Sequence, residues 1–237
     1  MVGRLRAGDR LASTEGVAVR VVAWAAEGSY ARVYRAERDD GGSVAIKLAK
    51  AEVPGAAERL RVEAIALSRV QHPRLVRLVG RGEWERLPFH LIEWIDGETL
   101  RDRLARERRL PLRIALALLR DQAAALAALH AAGIAHGDAR PENLLVNGAR
   151  ATLIDLDSAI PLTDSTRAAD LALVAANLRR MLTGDDATPL SPAAGHPPAA
   201  IRLAAALSDP AGPPADAIAA AAERLLAQLA PADPRTP

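Results

Sequence analysis

Lysine occurs twice in this chain, at Lys47 and Lys50, against 29 arginines. A GC-rich coding bias produces that ratio, and also the 53 alanines, with no function behind it. A position that keeps Lys under such a bias therefore stands out. Lys47 closes the apolar run Val44-Ala45-Ile46. Glu63 lies three residues after Leu60 and four before Leu67, which puts it on or beside the buried stripe of a helix. A carboxylate there wants a cationic partner, and Lys47 is on the preceding strand. Further along, His136-Gly137-Asp138-Ala139-Arg140-Pro141-Glu142-Asn143 gathers Asp, Arg and Asn in a turn-rich segment. Asp155 follows twelve residues after Asn143, at the end of Leu153-Ile154, as a strand delivering a carboxylate would. Asp and Asn supply hard oxygen ligands suited to Mg2+. Taken singly, each piece has a plain reading: a Glu that reaches solvent, and Asp and Asn that form turns.

The elements that must position these residues follow from pattern. Residues 17–24, 31–36 and 44–48 read as strands, with Asp39-Asp40-Gly41-Gly42 as the hairpin turn between the last two. A helix is expected over 55–70, ended by His72-Pro73. Strands at 75–79 and 89–95 come next, and Asp96-Gly97 stops the strand pattern. The period then turns helical: a short helix from Thr99, and a long one over 111–132 with Gly133 as its stop. Residues 134–161 are short apolar pieces and turns. Helices are expected over 170–182, 198–207 and 214–229. Strands with one helix, then mostly helices, is α+β, and it suggests two lobes meeting near Asp96.

Composition excludes several classes. The chain has 237 residues, half of them hydrophobic and a quarter charged, the balance of a globular protein with a core. Its formal net charge of +2 gives no reason to expect nucleic acid. With no cysteine there is no disulfide, thiolate metal site or Cys nucleophile. The five histidines, at 72, 90, 130, 136 and 196, lack zinc-motif spacing. Residues 1–10 hold charge and no apolar run, so no signal peptide is expected. The longest uncharged stretch near the middle, 122–137, is too short and polar to span a bilayer.

In their order, the pieces resemble the protein kinase-like superfamily from about residue 20 to 183. The carriers are Glu27-Gly28-Ser29-Tyr30-Ala31-Arg32-Val33-Tyr34 as a glycine-loop remnant, Val44-Ala45-Ile46-Lys47, Glu63, and His72-Pro73. Ile92-Glu93-Trp94-Ile95 looks like the hinge, His136-x-Asp138-x-x-x-x-Asn143 like the catalytic loop, and Asp155 like the metal-binding Asp. Asp170 matches the Asp that opens a long helix of the second lobe. The resemblance implies a bilobal kinase-like fold: a β-sheet and one helix over 1–95, and a mainly helical, abbreviated lobe over 96–237. It implies ATP and Mg2+ or Mn2+. Lys47 would hold the α- and β-phosphates, positioned by Glu63. The backbone of residues 28–32, with Gly28 and Ser29, would cover the phosphates. Glu93 and Ile95 would offer main-chain groups to adenine, and Val33, Ala45 and Leu145 fall in the same cofactor site. Asp138 would orient or accept the proton of the acceptor hydroxyl, Arg140 would reach the γ-phosphate, and Asn143 and Asp155 would carry the metal.

Four departures narrow the resemblance. Ala26 and Ala31 stand where the loop glycines are expected, leaving Gly28 alone. Gly137 replaces the Arg that reads a phosphorylated activation loop. Leu156 and Asp157 replace the Phe and Gly after the metal-binding Asp, so Asp157 is either a further ligand or an exposed turn residue. Asp170 follows Asp155 by only 15 residues, too few for a full activation segment. The pattern is that of a compact, atypical bacterial-type kinase. A protein Ser/Thr acceptor is the leading expectation, with a sugar or other small hydroxyl compound, a pseudokinase and a partner-coupled ATPase as alternatives. The expected location is the cytoplasm, or a host cytosol for a delivered effector; the oligomeric state is not legible.

Overall fold

The computed structural model describes residues 4–209 and 211–229. The first three residues of the charged N-terminal stretch and the last eight of the tail lie outside the described residues, so neither tests the expectations made for them. The chain forms two compact units. One holds the described residues up to Asp96 together with Asp155–Ala159; the other holds the rest.

The first unit is a six-stranded antiparallel sheet with one helix. Its strands are β1 (Arg10–Ala12), β2 (Ala18–Glu27), β3 (Ala31–Arg38), β4 (Ser43–Ala49), β5 (Leu78–Trp84) and β6 (Leu87–Glu93), in the order β1-β2-β3-β4-β6-β5; helix α1 (Ala56–Arg69) lies between β4 and β5 in sequence. Alternation sorts β3 into buried Tyr34 and Ala36 against exposed Arg35 and Glu37. Strand β4 is buried along almost all its length because it sits mid-sheet with both faces covered. Val44, Ile46 and Leu48 join Val19, Val21, Phe89 and Leu91 in the main core. On its other face Ala49 packs with Ala31, Ala56 and Leu60 at the start of α1. Lys47 shares that second face by the two-residue period.

Two expectations shift here. The strand expected at 75–79 starts three residues late, at Leu78, and runs to Trp84. The strand expected at 89–95 covers Leu87–Glu93. Glu85 and Arg86 join the two strands, both with positive φ (49° and 68°). A two-residue turn of that kind is normally marked by Asn-Gly or Asp-Gly. Here the residues are Glu and Arg, so the hairpin carries no sequence signal.

In the second unit, β7 (Glu98–Thr99) leads into α2 (Leu100–Glu107), whose first turn is capped by the Thr99 hydroxyl accepting from the Asp102 N–H at 3.1 Å. Helix α3 (Leu112–Ala131) is buried on nearly every side, as befits a helix at the centre of its unit. Short strands follow: β8 (Ile134–Ala135), β9 (Leu144–Asn147), β10 (Arg150–Leu153) and β11 (Ile160–Pro161). They form a β10-β9-β7 sheet and a β11-β8 pair. Gly97 sits where a Cβ would come 2.5 Å from the Val146 carbonyl oxygen, so the chain can enter β7 only as glycine. Helices α4 (Asp164–Thr183), α5 (Pro198–Ser208) and α6 (Ala215–Gln228) complete the unit.

Helix α4 corrects the expected start at residue 170. It begins at Asp164, because Thr163 caps it: the Thr163 hydroxyl accepts from the Thr166 N–H at 3.2 Å, and the Thr166 hydroxyl accepts from the Thr163 N–H at 2.8 Å. Asp170 therefore does not open the helix but sits inside it, fully buried. A Thr-x-x-Thr box is a weaker signal than one ending in Glu or Gln, which is why the pattern pointed further along. Thr163→Ala should lower the stability of the folded chain by about 1 kcal/mol, read as a fall in the urea midpoint, and Ser165→Ala should leave it nearly unchanged. Equal effects would mean that the box does not cap α4.

Candidate active site

In the first unit, the buried stripe of α1 carries Glu63 with no solvent exposure, excluding the reading of a carboxylate that reaches water. Its Oε2 lies 2.7 Å from Lys47 Nζ. The same ammonium is 2.7 Å from Asp155 Oδ1. Three residues separated by up to 108 positions in sequence thus share one charge cluster. Asp155 holds a left-handed backbone (φ 66°), a conformation Asp tolerates better than most residues but at some cost. Burial alone would depress the Lys47 ammonium, but Glu63 and Asp155 outweigh it and hold its pKa above the ordinary value. Burial likewise pushes the Glu63 carboxyl up, and the charge of Lys47, with His90 beside it, brings it well below the usual range. Both groups are charged in the folded protein.

Around the cluster, Ala45 pairs with Ile92, and Lys47 with His90, across β4 and β6. Val33 lies opposite Lys47 on β3. Strand β6 ends at Glu93, whose N–H donates to the Arg77 carbonyl at 3.0 Å. The main chain of Ile95, beyond the strand end, has no hydrogen-bond partner among the described residues. Gly28 and Ser29 form the turn between β2 and β3, where the Gly28 N–H donates to the Ala31 carbonyl at 2.9 Å. A Cβ at Gly28 would meet only that carbonyl, at an ordinary 3.5 Å. The fold itself does not need glycine there, whereas close approach of a ligand to the backbone would. Asp157 is neither free nor fully exposed. Its N–H donates to Asp155 Oδ1 at 3.3 Å, its own Oδ1 accepts the Ser158 hydroxyl at 2.9 Å, and burial followed by the charge of Asp155 raises its carboxyl.

In the second unit the catalytic-loop candidates stand on a 3-10 turn, Pro141–Asn143, after β8. Asn143 Nδ2 donates to the Asp138 carbonyl at 2.8 Å and to Asp138 Oδ2 at 2.9 Å. The amide oxygen of Asn143 is thereby turned away from Asp138 and left for another partner. Arg140 grips the Asp138 carboxylate with two nitrogens, Nη2 to Oδ2 at 2.9 Å and Nε to Oδ1. Burial raises the Asp138 carboxyl, but the hydrogen bonds and charge of Arg140, then Asn143, bring it below its ordinary value. Leu145 lies on β9, two residues beyond Asn143.

Asp170, read from the sequence only as the opening of a helix, holds this loop, together with His130, Gln122 and Asn177, which were not read as site residues. Asp170 Oδ2 accepts from the His136 N–H at 2.8 Å and Oδ1 from the Gly137 N–H at 2.9 Å, and His130 Nε2 lies 2.9 Å from Oδ2. Gln122 and Asn177, both buried, donate to the Ala139 carbonyl at 2.8 and 2.9 Å. His136 has no exposure. Its Nδ1 accepts from the Asp138 N–H at 3.2 Å, which leaves Nε2 to donate to the Ile154 carbonyl at 3.1 Å. Gly137, which stands in place of an Arg, has φ 78°, a backbone that suits glycine. The available signal for Gln122 and Asn177 was an amide placed on the apolar side of a helix.

Taken unit by unit, the donors are of the kinds that a phosphate and a hard metal ion take. Lys47 supplies a fixed cation; Asp155 Oδ2 and the Asn143 amide oxygen lack hydrogen-bond partners among the described residues. Among those residues no group of three or more His, Cys, Asp and Glu could hold a metal. Each unit thus holds one oxygen donor of the kind Mg2+ takes, the Asp155 carboxylate in the first and the Asn143 amide in the second.

The ion pair has a pH signature. The lowered Glu63 contributes stability that is present above its unfolded value of 4.5 and is lost as the pH falls through its folded value. The raised Lys47 contributes stability that is present below 10.5 and is lost as the pH rises through its higher folded value. Near neutrality Glu63→Gln should destabilise the chain by about 3 kcal/mol. In urea titrations the gap to wild type should narrow as the pH drops from about 5 toward about 2. A gap that stays constant would mean that Glu63 is not ionised in the folded state.

Comparison with known proteins bears on the same residues. Residues 25–176, more than half of the chain, match the model of the protein kinase domain. Serine/threonine-protein kinase pkn2 of Myxococcus xanthus is 38% identical over 144 residues, covering 57% of this chain and 17% of that protein. PknL of Mycobacterium bovis is 37% identical over 107 residues, 44% of this chain and 27% of that protein. PknB of Mycobacterium leprae is 32% identical over 152 residues, 61% of this chain and 24% of that protein. The match thus spans about a quarter or less of each of these relatives. The domain match over residues 25–176 covers more than half of the chain, and with that extent the chain belongs to the protein kinase domain family.

Proposed function

We propose that this chain is an ATP-dependent phosphotransferase that moves the γ-phosphate of ATP to a Ser or Thr hydroxyl of a protein, with Mg2+ or Mn2+ as the metal. The observation that carries this reading is the ammonium of Lys47 held between Glu63 and Asp155. Burying such charges costs desolvation free energy, and a module that only contacts other proteins gains nothing from it. The names of the relatives, which are serine/threonine-protein kinases, support the acceptor class.

The proposed roles follow the donors. Lys47 would hold the α- and β-phosphates, with Glu63 fixing the position of the ammonium. The turn at Gly28 and Ser29 would cover the phosphates with backbone N–H groups. Main-chain groups of Glu93 and Ile95 would face adenine, and Val33, Ala45 and Leu145 would pack against it. Asn143 and Asp155 would hold the metal, which when bound would neutralise charge on the transferring group. Asp138, kept ionised by Arg140 and Asn143, is a weak base, so its role would be to orient the acceptor hydroxyl. Arg140 would exchange part of its grip on Asp138 for the γ-phosphate. ATP dependence fits a cytoplasmic location. No helix among the described residues is long and apolar enough to cross a membrane.

A small hydroxyl compound is the second reading for the acceptor. What favours it is the capping of α4 by Thr163, eight residues after Asp155, which leaves little chain for a peptide platform. Incubation with γ-labelled ATP, alone and with cell extract, separates the two. Label on Ser or Thr of protein is the expected result; label confined to the small-molecule fraction overturns the protein acceptor.

Two variants test the machinery itself. Lys47→Arg should lower turnover by about 10²- to 10³-fold, because a planar fork cannot replace a compact ammonium between two carboxylates. Asp155→Asn should reduce turnover at least as much, with far-UV dichroism unchanged. EDTA should abolish activity, and Mg2+ or Mn2+ should restore it. Near wild-type turnover by Lys47→Arg, or full activity in EDTA, would contradict the assignment.

A further inference from the structure

The second lysine, Lys50, is not used by the roles above, yet it is nearly buried, with 12% of its side chain exposed. It lies just past β4 and touches both ends of the turn between β2 and β3. Its Nζ is 2.8 Å from Glu27 Oε1, at the end of β2. Its N–H donates to the Tyr30 carbonyl at 2.9 Å, just before β3. Arg32 adds a second cation near Glu27, at 3.7 Å, and is itself paired with Glu52. The Tyr30 ring packs on the cluster of Ala31, Ala49, Ala56 and Leu60, and the Arg59 guanidinium lies over it at 5.1 Å from the ring centre. Arg59, one turn before Glu63 on α1, also donates to the Asp157 carbonyl at 3.2 Å and reaches the Ser158 hydroxyl at 3.5 Å. All of these residues belong to the first unit.

From this we infer that Lys50 and Arg59 are positioning residues that hold the Gly28–Tyr30 turn preformed, in place of a loop that orders only around its ligand. The inference rests on the proposed ATP site. A loop with several glycines is free to move and loses that freedom when it closes on phosphate. Here Ala26 and Ala31 restrict the backbone, and the two cations fix both ends of the turn before any ligand arrives, so the ordering cost falls on folding rather than on binding. Between the fixed ends the N–H groups of Ser29 and Tyr30 have no hydrogen-bond partner among the described residues. Lys50 has a second effect. Glu27 places a carboxylate beside the groups that would face a triphosphate, and Lys50 neutralises it.

The second effect separates positioning from mere support of the fold. Lys50→Met leaves the Glu27 carboxylate less compensated, so the Kd for ATP should rise roughly tenfold. Glu27→Gln combined with Lys50→Met removes that charge and should recover at least half of the loss on a logarithmic scale. If Lys50 only supported the fold, the double variant would bind no better than the single one. Arg59→Ala should raise the Kd about fivefold through loss of the turn's order, with a thermal midpoint close to wild type, and Arg59→Lys, which keeps a cation for Tyr30, should recover part of it. Should Lys50→Met fail to fold, Glu27→Gln cuts the same contact from a half-exposed position. Faster exchange of the Gly28 amide in the nucleotide-free protein is then the expected result, and unchanged exchange overturns the role of Lys50.

Hydrogen exchange on the nucleotide-free protein tests the preformed turn without relying on ATP. The Gly28 amide should exchange at least about tenfold faster in Lys50→Met and in Arg59→Ala than in wild type. Unchanged exchange at Gly28 in both variants overturns the inference, as does a double variant that binds ATP no better than Lys50→Met. Wild-type protein that fails to bind ATP would overturn the proposed function instead, and the exchange measurement would still decide whether the turn is held.

Discussion

A single ammonium, Lys47 Nζ, compensates the fully buried carboxylate of Glu63 and also binds Asp155. Removing Lys47 would leave the Glu63 carboxylate uncompensated in a low-dielectric setting, where an unpaired charge costs several kcal/mol. The cluster therefore constrains its surroundings. Strand β4 must present Lys47 to the α1 side while Ile46 and Leu48 fill the opposite core. Helix α1 must turn Glu63 inward, on the same stripe as Leu60 and Leu67. The chain from Asp155 to Ala159 must join the first unit although its neighbours on both sides belong to the second. An interaction of this kind adds little net stability, but it tolerates few alternative arrangements, and that selectivity suits a site.

The second unit solves a comparable problem with hydrogen bonds from buried polar side chains. The loop from His136 to Asn143 has little regular structure of its own, so its orientation depends on partners brought by helices. Asp170 of α4 takes the N–H groups of His136 and Gly137, while Gln122 of α3 and Asn177 of α4 take the Ala139 carbonyl. Each partner is a buried polar side chain whose own requirement is met by the loop. The loop thus gains the rigidity of two long helices while Asp138 and Asn143 remain at its outer edge. Polar residues inside apolar helices weaken the hydrophobic stripe, and here they return a fixed backbone.

How far this was legible in the sequence depended on the kind of signal. Lys47, Glu63, Asp138, Asn143 and Asp155 could be picked out as candidates because residue type, spacing and order carry the family pattern, and the family match spans residues 25–176. Strands β2 to β4 and helices α1 to α3 were legible because hydrophobic period and turn residues agreed. What escaped was set by tertiary contact or by uncommon turn chemistry. The Glu85-Arg86 turn has positive φ without Gly or Asn. The cap at Thr163 moved the start of α4 by six residues, from the expected 170 to Asp164. Arg59 looked like one Arg among 29, since only the fold brings Tyr30, Asp157 and Ser158 to it.

The corrected start of α4 sharpens what the segment after Asp155 can do. Asp155–Ala159 packs into the first unit, Ile160 and Pro161 pair with β8, and Thr163 already caps α4. Nearly every residue of the stretch has a structural task. A switch that works by order and disorder needs a segment whose ordered state is only marginally favoured, and a stretch fixed by strand pairing and a helix cap is not of that kind. The Arg that would read a phosphate is also absent, since position 137 is a glycine with left-handed backbone. The order that such a switch would impose is built in from other sources: Asp170 on the loop, Lys47 and Glu63 on the helix, Arg59 on Asp157 and Ser158. On this architecture the stretch after Asp155 is part of the scaffold, held by the first unit, by β8 and by the cap of α4.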